Sequence, residues 1–337
     1  MYLTLPISVS PTNQLFDYLL ESYSNAEKEI VLSVQWAHDI VSEFVYQFQG
    51  FCQYRCQASV RAGDDEVKLL QEHAEIWNLP TVVKILNALS RFSKFIPDNN
   101  KLNANNPNAS GTVDNAALPV TTSAIVGYFS VIEFARLNCL LGDYVESLRA
   151  VAPLRFRDKY EWFTLIPTSQ ANILYHAGLC LLMLRRYADA IETFSDVILF
   201  ISRLLKSNGI QTVRANVQNS LVKILDKVTA LAAISISLLP GYRVDDLVKE
   251  LVDKKWEDKY RRLVGGDLPT FESLFELAAP KFVSPAVPEY GTSVVTVNAT
   301  QEAYKQQVGD PPTYIDGTTL PLSLDIWRSR VLTLISG

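Results

Sequence analysis

The chain has 337 residues, 48% of them hydrophobic, with a formal net charge of −5 and a pI near 5.4. That length and hydrophobic share permit one or two domains with a sizeable core and exclude a wholly disordered chain. The acidic balance excludes a protein devoted mainly to gripping phosphate backbones, although a local basic face could still touch RNA.

The opening stretch, MYLTLPISVSPTNQLF, lacks the basic and continuously apolar segments of a signal peptide. With four cysteines and no secretion signal, reduced thiols and a cytoplasmic protein are expected. A helix is predicted over Gln14 to Ser22. From Val34 onward, Trp36, Ile40, Val41, Phe44, Val45, Phe48 and Phe51 recur at three- and four-residue spacing, which predicts one buried helical stripe. Gln35, Asp39, Ser42, Glu43 and Gln47 fall largely on the other side. A second helix follows the break at Gly63, with Asp64 and Asp65 near its positive N-terminus. A third begins after Pro80, its buried face marked by Val82, Val83, Leu86, Leu89 and Phe92. Residues 1–97 therefore read as an N-terminal helical region. The stretch 98–119 is rich in Asn and poor in large apolar residues, so a disordered loop is expected there.

Two copies of one helical pattern follow, Gly127 to Val151 and Ile173 to Ile201. In each, an apolar helix reaches a tight corner and a second helix begins at a tyrosine. With Tyr144 placed over Tyr187, Gly142 lies over Arg185, Ser147 over Ala190, Leu148 over Ile191 and Ala135 over Gly178. The pattern is that of a tetratricopeptide-like hairpin, in which small residues let paired helices approach and aromatic residues fill the adjoining gap. Gly142, Tyr144, Gly178, Tyr187, Ala190 and Phe194 form the packing signature. The two tyrosines stand farther apart than the roughly 34-residue tetratricopeptide period, so a loop around Pro153 to Thr168 makes the array irregular. The expected fold class is all-α, an irregular α-solenoid of tetratricopeptide-like repeats over residues 120–282.

Leu221 to Leu239 reads as another amphipathic helix ended by Pro240-Gly241. Val228 to Leu239 within it is the longest apolar run, but Thr229, Ser235 and Ser237 interrupt it and it is short for a membrane span. No membrane association is expected. Asn108-Ala109-Ser110 and Asn298-Ala299-Thr300 match the glycosylation sequon and read as chance matches without secretion. Two further helices, Val244 to Lys255 and Trp256 to Val264, are predicted before Gly265-Gly266, then Phe271 to Leu277. Residues 283–337 read as an extended, poorly ordered tail, with a short helix near Ser323 to Ile335.

No catalytic constellation emerges. There is no Gly-rich phosphate loop, nucleophile elbow or metal-binding His pair, and the carboxylates lie on solvated helix faces. Neither an enzymatic activity nor a cofactor or small-molecule substrate is expected. Cys52 and Cys56, four residues apart, could supply half a metal site. The three histidines, His38, His73 and His176, are scattered, so no metal is expected and helix packing is the simpler role. Lys249 to Arg262 mixes basic and acidic residues, as an exposed helix laced with opposite charges does. The sharper alternative is that Lys254, Lys255, Lys259, Arg261 and Arg262 line a surface for ribosomal or messenger RNA.

Five segments carry a resemblance. They are QWAHDIVSEFVYQFQGFCQYRCQ at 35–57, EIWNLPTVVKILNAL at 75–89, GYFSVIEFARLNCLLGDY at 127–144, MLRRYADAIETFSDVILFISR at 183–203 and PKFVSPAVPEY at 280–290. In this order they resemble subunit L of eukaryotic translation initiation factor 3, over roughly residues 30 to 290. The resemblance implies a non-catalytic subunit of a large factor that binds the small ribosomal subunit and organises recruitment of messenger and initiator transfer RNA. It also implies a C-terminal winged-helix module, the PCI domain, that joins other subunits of the factor, with subunits K and E as neighbours. Gly291 to Gly337 does not read as a winged helix, so that module is expected to be absent. A free helical-repeat adaptor outside translation is the alternative role.

Overall fold

The computed structural model describes residues 31–61, 64–73, 77–92, 122–154, 156, 162–206 and 215–285. The helix expected at Gln14 to Ser22, the Asn-rich stretch 98–119, the tail after Pro285 and any winged helix within it lie outside these residues. The described residues form, in order, α1 (Val34–Arg61), α2 (Asp64–Glu72), α3 (Leu79–Ser90), α4 (Thr122–Leu141), α5 (Tyr144–Val151), α6 (Pro167–Met183), α7 (Tyr187–Lys206), α8 (Ala215–Leu238), α9 (Asp246–Val264) and α10 (Leu268–Ala278). A 3-10 turn, Trp162–Leu165, leads into α6. No strand occurs among the described residues, and the architecture is an all-α, irregular repeat array.

Helices α4 and α6 are buried almost all round, as central helices must be when neighbours cover every face. Helices α1 and α3 pack on α4, α5 closes a hairpin with α4, and α7 closes one with α6. Helix α8 lies against α7, α6, α9 and α10, so one core runs from Ala37 to Val283. Among the described residues α4 is also the one helix long and apolar enough to cross a membrane, surpassing the Val228 to Leu239 run. Its burial inside the fold and its Glu133–Arg136 ion pair mark it as a core helix.

The stripe read from α1 holds for Val41, Phe44, Val45 and Phe48, all buried with Ala37 and Cys52. Trp36 is the exception, at 66% exposure. At about 100° of rotation per residue, it stands more than ~100° from the centre of that stripe, although each local step of three or four looked in register. Helix α3 is opened by Asn78, whose side chain accepts from the Thr81 N–H at 2.8 Å. Such a cap satisfies one donor that the first turn leaves open. Val82, Leu86 and Leu89 are buried beneath it, and Val83 and Phe92 are half-buried at the edge.

Three hairpin corners share one geometry. After α4, Gly142 has φ of 90°, its N–H reaches the Cys139 carbonyl, and the Asp143 N–H reaches Asn138. After α6, Arg185 has φ of 61°, with its N–H on Leu182 and the Arg186 N–H on Leu181. After α9, Gly266 has φ of 80°, with its N–H on Leu263 and the Asp267 N–H on Arg262. This paired bonding satisfies the final carbonyls of a helix while turning the chain sharply. Asp143 then caps α5 by accepting from the Glu146 N–H at 3.0 Å. The middle corner keeps the shape although an arginine must take the left-handed backbone that glycine adopts freely.

The two helices expected over Val244 to Val264 are present as the two halves of α9, which meet at a kink where Trp256 leaves helical geometry (φ −124°, ψ 18°). Its indole N–H donates to Thr229 Oγ1 of α8 at 3.2 Å, holding the bend against the neighbouring helix.

Beyond α10 the chain becomes an extended strap, 279–285, that returns to the start of the fold. Tyr175 O–H donates to the Ala278 carbonyl at 2.6 Å, and the Val283 N–H donates to Leu140 at 3.0 Å. Gln49 Nε2 donates to the Lys281 carbonyl at 2.7 Å, and Arg55 Nη2 to the Pro285 carbonyl at 3.0 Å. Phe282, Val283 and Ser284 are buried beneath it. The strap thus ties α1 to α4 and α6, and the expected tail boundary at residue 283 falls inside this buried segment. Arg55 is itself 2% exposed, with its guanidinium 5.6 Å from the centre of the Phe51 ring.

Candidate interaction surfaces

The packing signature residues lie at the two hairpins. Gly142 makes the first corner, and Tyr144 and Tyr187, both half-buried, begin α5 and α7. Ala190 and Phe194 are fully buried, and Gly178 of α6 lies against the Phe194 ring of α7 so closely that an added Cβ would overlap it. The equivalent place in the first hairpin is a hydrogen bond, Ser147 Oγ donating to the Ala135 carbonyl at 2.8 Å. Ala190, Phe194 and Gly178 thus lie in the packing between paired helices.

Cys52 and Cys56 are buried cysteines outside any disulfide on one side of α1, and burial pushes Cys52 up to about 11. Such a thiol stays protonated and unreactive in the folded protein. No group of three His, Cys, Asp or Glu side chains suited to a metal ion occurs among the described residues.

Sequence reading passed over a small polar cavity between α1, α4, α5 and α6. His38, Glu133, Arg136, Ser147, Ser169, Asn172 and His176 supply its polar lining, and its volume of about 20 Å³ suits a single water. Glu133 and Arg136 pair at 3.0 Å, and Arg136 also donates to Ser42 Oγ at 3.4 Å. The signal available was two charges within an otherwise apolar helix. They sit three residues apart, a spacing that places them on one face. Ser169 Oγ is buried here without a hydrogen-bond partner among the described residues.

His176 Nδ1–H donates to the Asn172 carbonyl at 2.7 Å. Burial chiefly, with the Arg136 and Lys227 charges adding to it and the Asn172 bond opposing, lowers its imidazole from 6.5 to about 3. The folded protein therefore keeps His176 neutral where an unfolded chain protonates it. Between about pH 6.5 and 3 the unfolded state binds the extra proton, so stability falls as pH falls. The limiting slope for one proton is about 1.4 kcal/mol per pH unit. Denaturant unfolding of wild type and His176→Gln from pH 7 to 4 checks this. The difference between the two curves should shrink steadily toward acid, and a constant difference would show that His176 does not titrate as described.

The basic residues singled out on α9 divide into two kinds. Lys255 pairs with Asp226 of α8, and Arg261 pairs with Glu257 one turn back. Lys254 and Arg262 are exposed, and Lys259 Nζ stands 5.3 Å over the Trp256 ring. The kink at Trp256 thus places a half-buried aromatic ring beside Lys255 and Lys259, with Glu257 and Asp258 exposed on the same segment.

Comparison with known proteins places this architecture. A family described as RNA polymerase I-associated factor PAF67 matches residues 8–309. The chain is similar to eukaryotic translation initiation factor 3 subunit L of Danio rerio, 33% identical over 297 residues, covering 87% of this chain and 49% of that one. It is 32% identical over 297 residues to the Homo sapiens protein of the same name, covering 87% and 50%. The Coccidioides immitis protein of that name is 32% identical over 288 residues, covering 84% and 58%. The chain therefore spans about half the length of these curated relatives.

Proposed function

The chain belongs to the PAF67 family and is similar to subunit L of eukaryotic translation initiation factor 3, and from these two findings we propose that it is a non-catalytic scaffold of that factor. In this reading it works in the cytoplasm, holds other factor subunits, K and E among them, and supports binding to the small ribosomal subunit and recruitment of messenger RNA. The observation that carries the reading is similarity running over 87% of the chain, through all three hairpin corners, and not confined to one repeat. A stack of helix pairs offers broad faces for neighbours and needs no reactive group, which suits a scaffold.

The test is to tag the endogenous protein at its N-terminus, fractionate lysate on a sucrose gradient and identify what co-purifies. Migration with the small ribosomal subunit and with other factor subunits supports the reading. Retention in light fractions without them would leave the fold and favour a free adaptor outside translation.

The α9 segment favours a second, compatible reading, direct contact with ribosomal or messenger RNA. Alanine at Lys254, Lys255, Lys259, Arg261 and Arg262 should weaken association with the ribosome and flatten its salt dependence. Each lost phosphate contact lowers the slope by roughly 0.7 to 0.9. Equal binding of variant and wild type across salt concentrations would remove RNA contact by this face.

A further inference from the structure

Helix α1 carries a second face that the other described residues leave uncovered. Opposite its buried stripe stand Trp36, Asp39, Glu43, Tyr46, Gln47 and Gly50, all exposed. At about 100° per residue these six occupy roughly one third of the helix circumference, so they form one stripe and are not a scatter. Trp36 is 66% and Tyr46 60% exposed, which is unusual for large rings on a helix whose other side is fully packed. Aromatic anchors left in water are a recurrent mark of surfaces that meet a protein partner.

The charge on this face identifies the partner's chemistry. The only ionised groups in the stripe are the Asp39 and Glu43 carboxylates, which lie between the two rings. No lysine or arginine occurs from Val34 to Tyr54. Within the helix, Asp39 accepts from Gln35 Nε2 at 2.8 Å and lies 3.0 Å from His38 Nδ1, while Glu43 accepts from Gln47 Nε2 at 3.1 Å. The Gln35 and Gln47 amides are exposed and displaceable, His38 is largely buried, and none of the three is a Lys or Arg. A ring face attracts a cation through its quadrupole, and an adjacent carboxylate completes the site for the same cation. Arginine suits it best, because its flat guanidinium can stack on the ring while its N–H groups reach the carboxylate. Nucleic acid is disfavoured, because two carboxylates would face its phosphates.

We propose that the Trp36–Asp39–Glu43–Tyr46 face of α1 is a docking surface for an arginine-bearing segment of another protein. The two rings stand about 15 Å apart along the helix axis. A bound segment therefore presents cations over a length of some three turns of a helix laid along α1.

Site-specific photo-crosslinking tests this in the full-length protein in cells. Benzoylphenylalanine is placed in turn at position 36 and at position 46, and the cross-linked peptides are mapped by mass spectrometry. The expected product joins either position to a segment of a different protein with arginine or lysine beside the cross-linked residue. Charge reversal by Asp39→Lys with Glu43→Lys should lower the yield about tenfold, and Asp39→Asn with Glu43→Gln should lower it less. These exposed changes should leave the circular dichroism spectrum and melting temperature close to wild type. Cross-links to RNA, to a second copy of this chain or to a segment without basic residues would each overturn the proposal. So would the absence of any cross-link, or a yield unmoved by charge reversal.

Discussion

Phe194→Ala is expected to lower the unfolding free energy by about 3–5 kcal/mol, the range for removing a fully buried aromatic ring. The ring closes the second hairpin against Gly178, and the glycine is there because no Cβ fits beneath it. Gly178→Ala in the wild-type background should therefore also destabilise, by about 1–3 kcal/mol, through overpacking. Made together, the two changes should not add. With the ring gone the new methyl group has room, and the better helix propensity of alanine, about 1 kcal/mol over glycine, then acts alone. Urea unfolding of the two single variants and the double variant forms a thermodynamic cycle with a large favourable coupling. Additive losses would mean that Gly178 and Phe194 do not meet as described.

The second large effect is expected at the strap. Phe282 is 1% exposed, and Phe282→Ala should cost about 3–5 kcal/mol if measured globally. The more telling result is local. The strap is pinned at Gln49 and Arg55 of α1, and Cys52 and Cys56 lie between and beside those anchors on the same helix. Loosening it should expose these thiols before the repeat core opens, because local openings require less free energy than global unfolding. In native buffer, a thiol reagent should modify Cys52 and Cys56 at least about tenfold faster in the variant. Cys139 and Cys180, fully buried between α4, α5 and α6, serve as internal controls and should remain slow. Equal acceleration at all four cysteines would indicate global destabilisation and no separable strap.

Both predictions rest on contacts of very different reach in the sequence, and that difference separates what was readable from what was not. The hairpins were readable because their geometry is local. Gly142 over Arg185 is an alignment of sequence, and both residues take positive φ because a six-residue bonding pattern ends each helix. Gly178, Ala190 and Phe194 fall within one hairpin, so their spacing alone brings small and large side chains face to face. The break at Trp256 was also legible, as the join of two helical patterns, and the structure breaks helical geometry at that residue.

Trp36 was misread for an equally physical reason. Three- and four-residue steps each look helical, but their rotations accumulate, and only the full turn count sets a residue inside or outside the stripe. The strap and the Arg55 anchor left no local trace. Arg55 meets Pro285 across 230 positions, and Leu140 meets Val283 with no pattern linking them. Such pairings depend on where whole helices settle after their apolar faces are buried.

The sequence by itself determined that this protein is an all-helical repeat array, where its central hairpins turn, and which family it resembles. Periodicity, corner residues and long distinctive segments are properties of neighbouring positions. The tertiary structure alone decided that the end of the array returns to clamp its first helix, that a histidine and an ion pair share a buried cavity, and that α1 keeps two aromatic rings in solvent. Those outcomes depend on which surfaces long-range packing covers, and a pattern within one segment does not specify its distant neighbours.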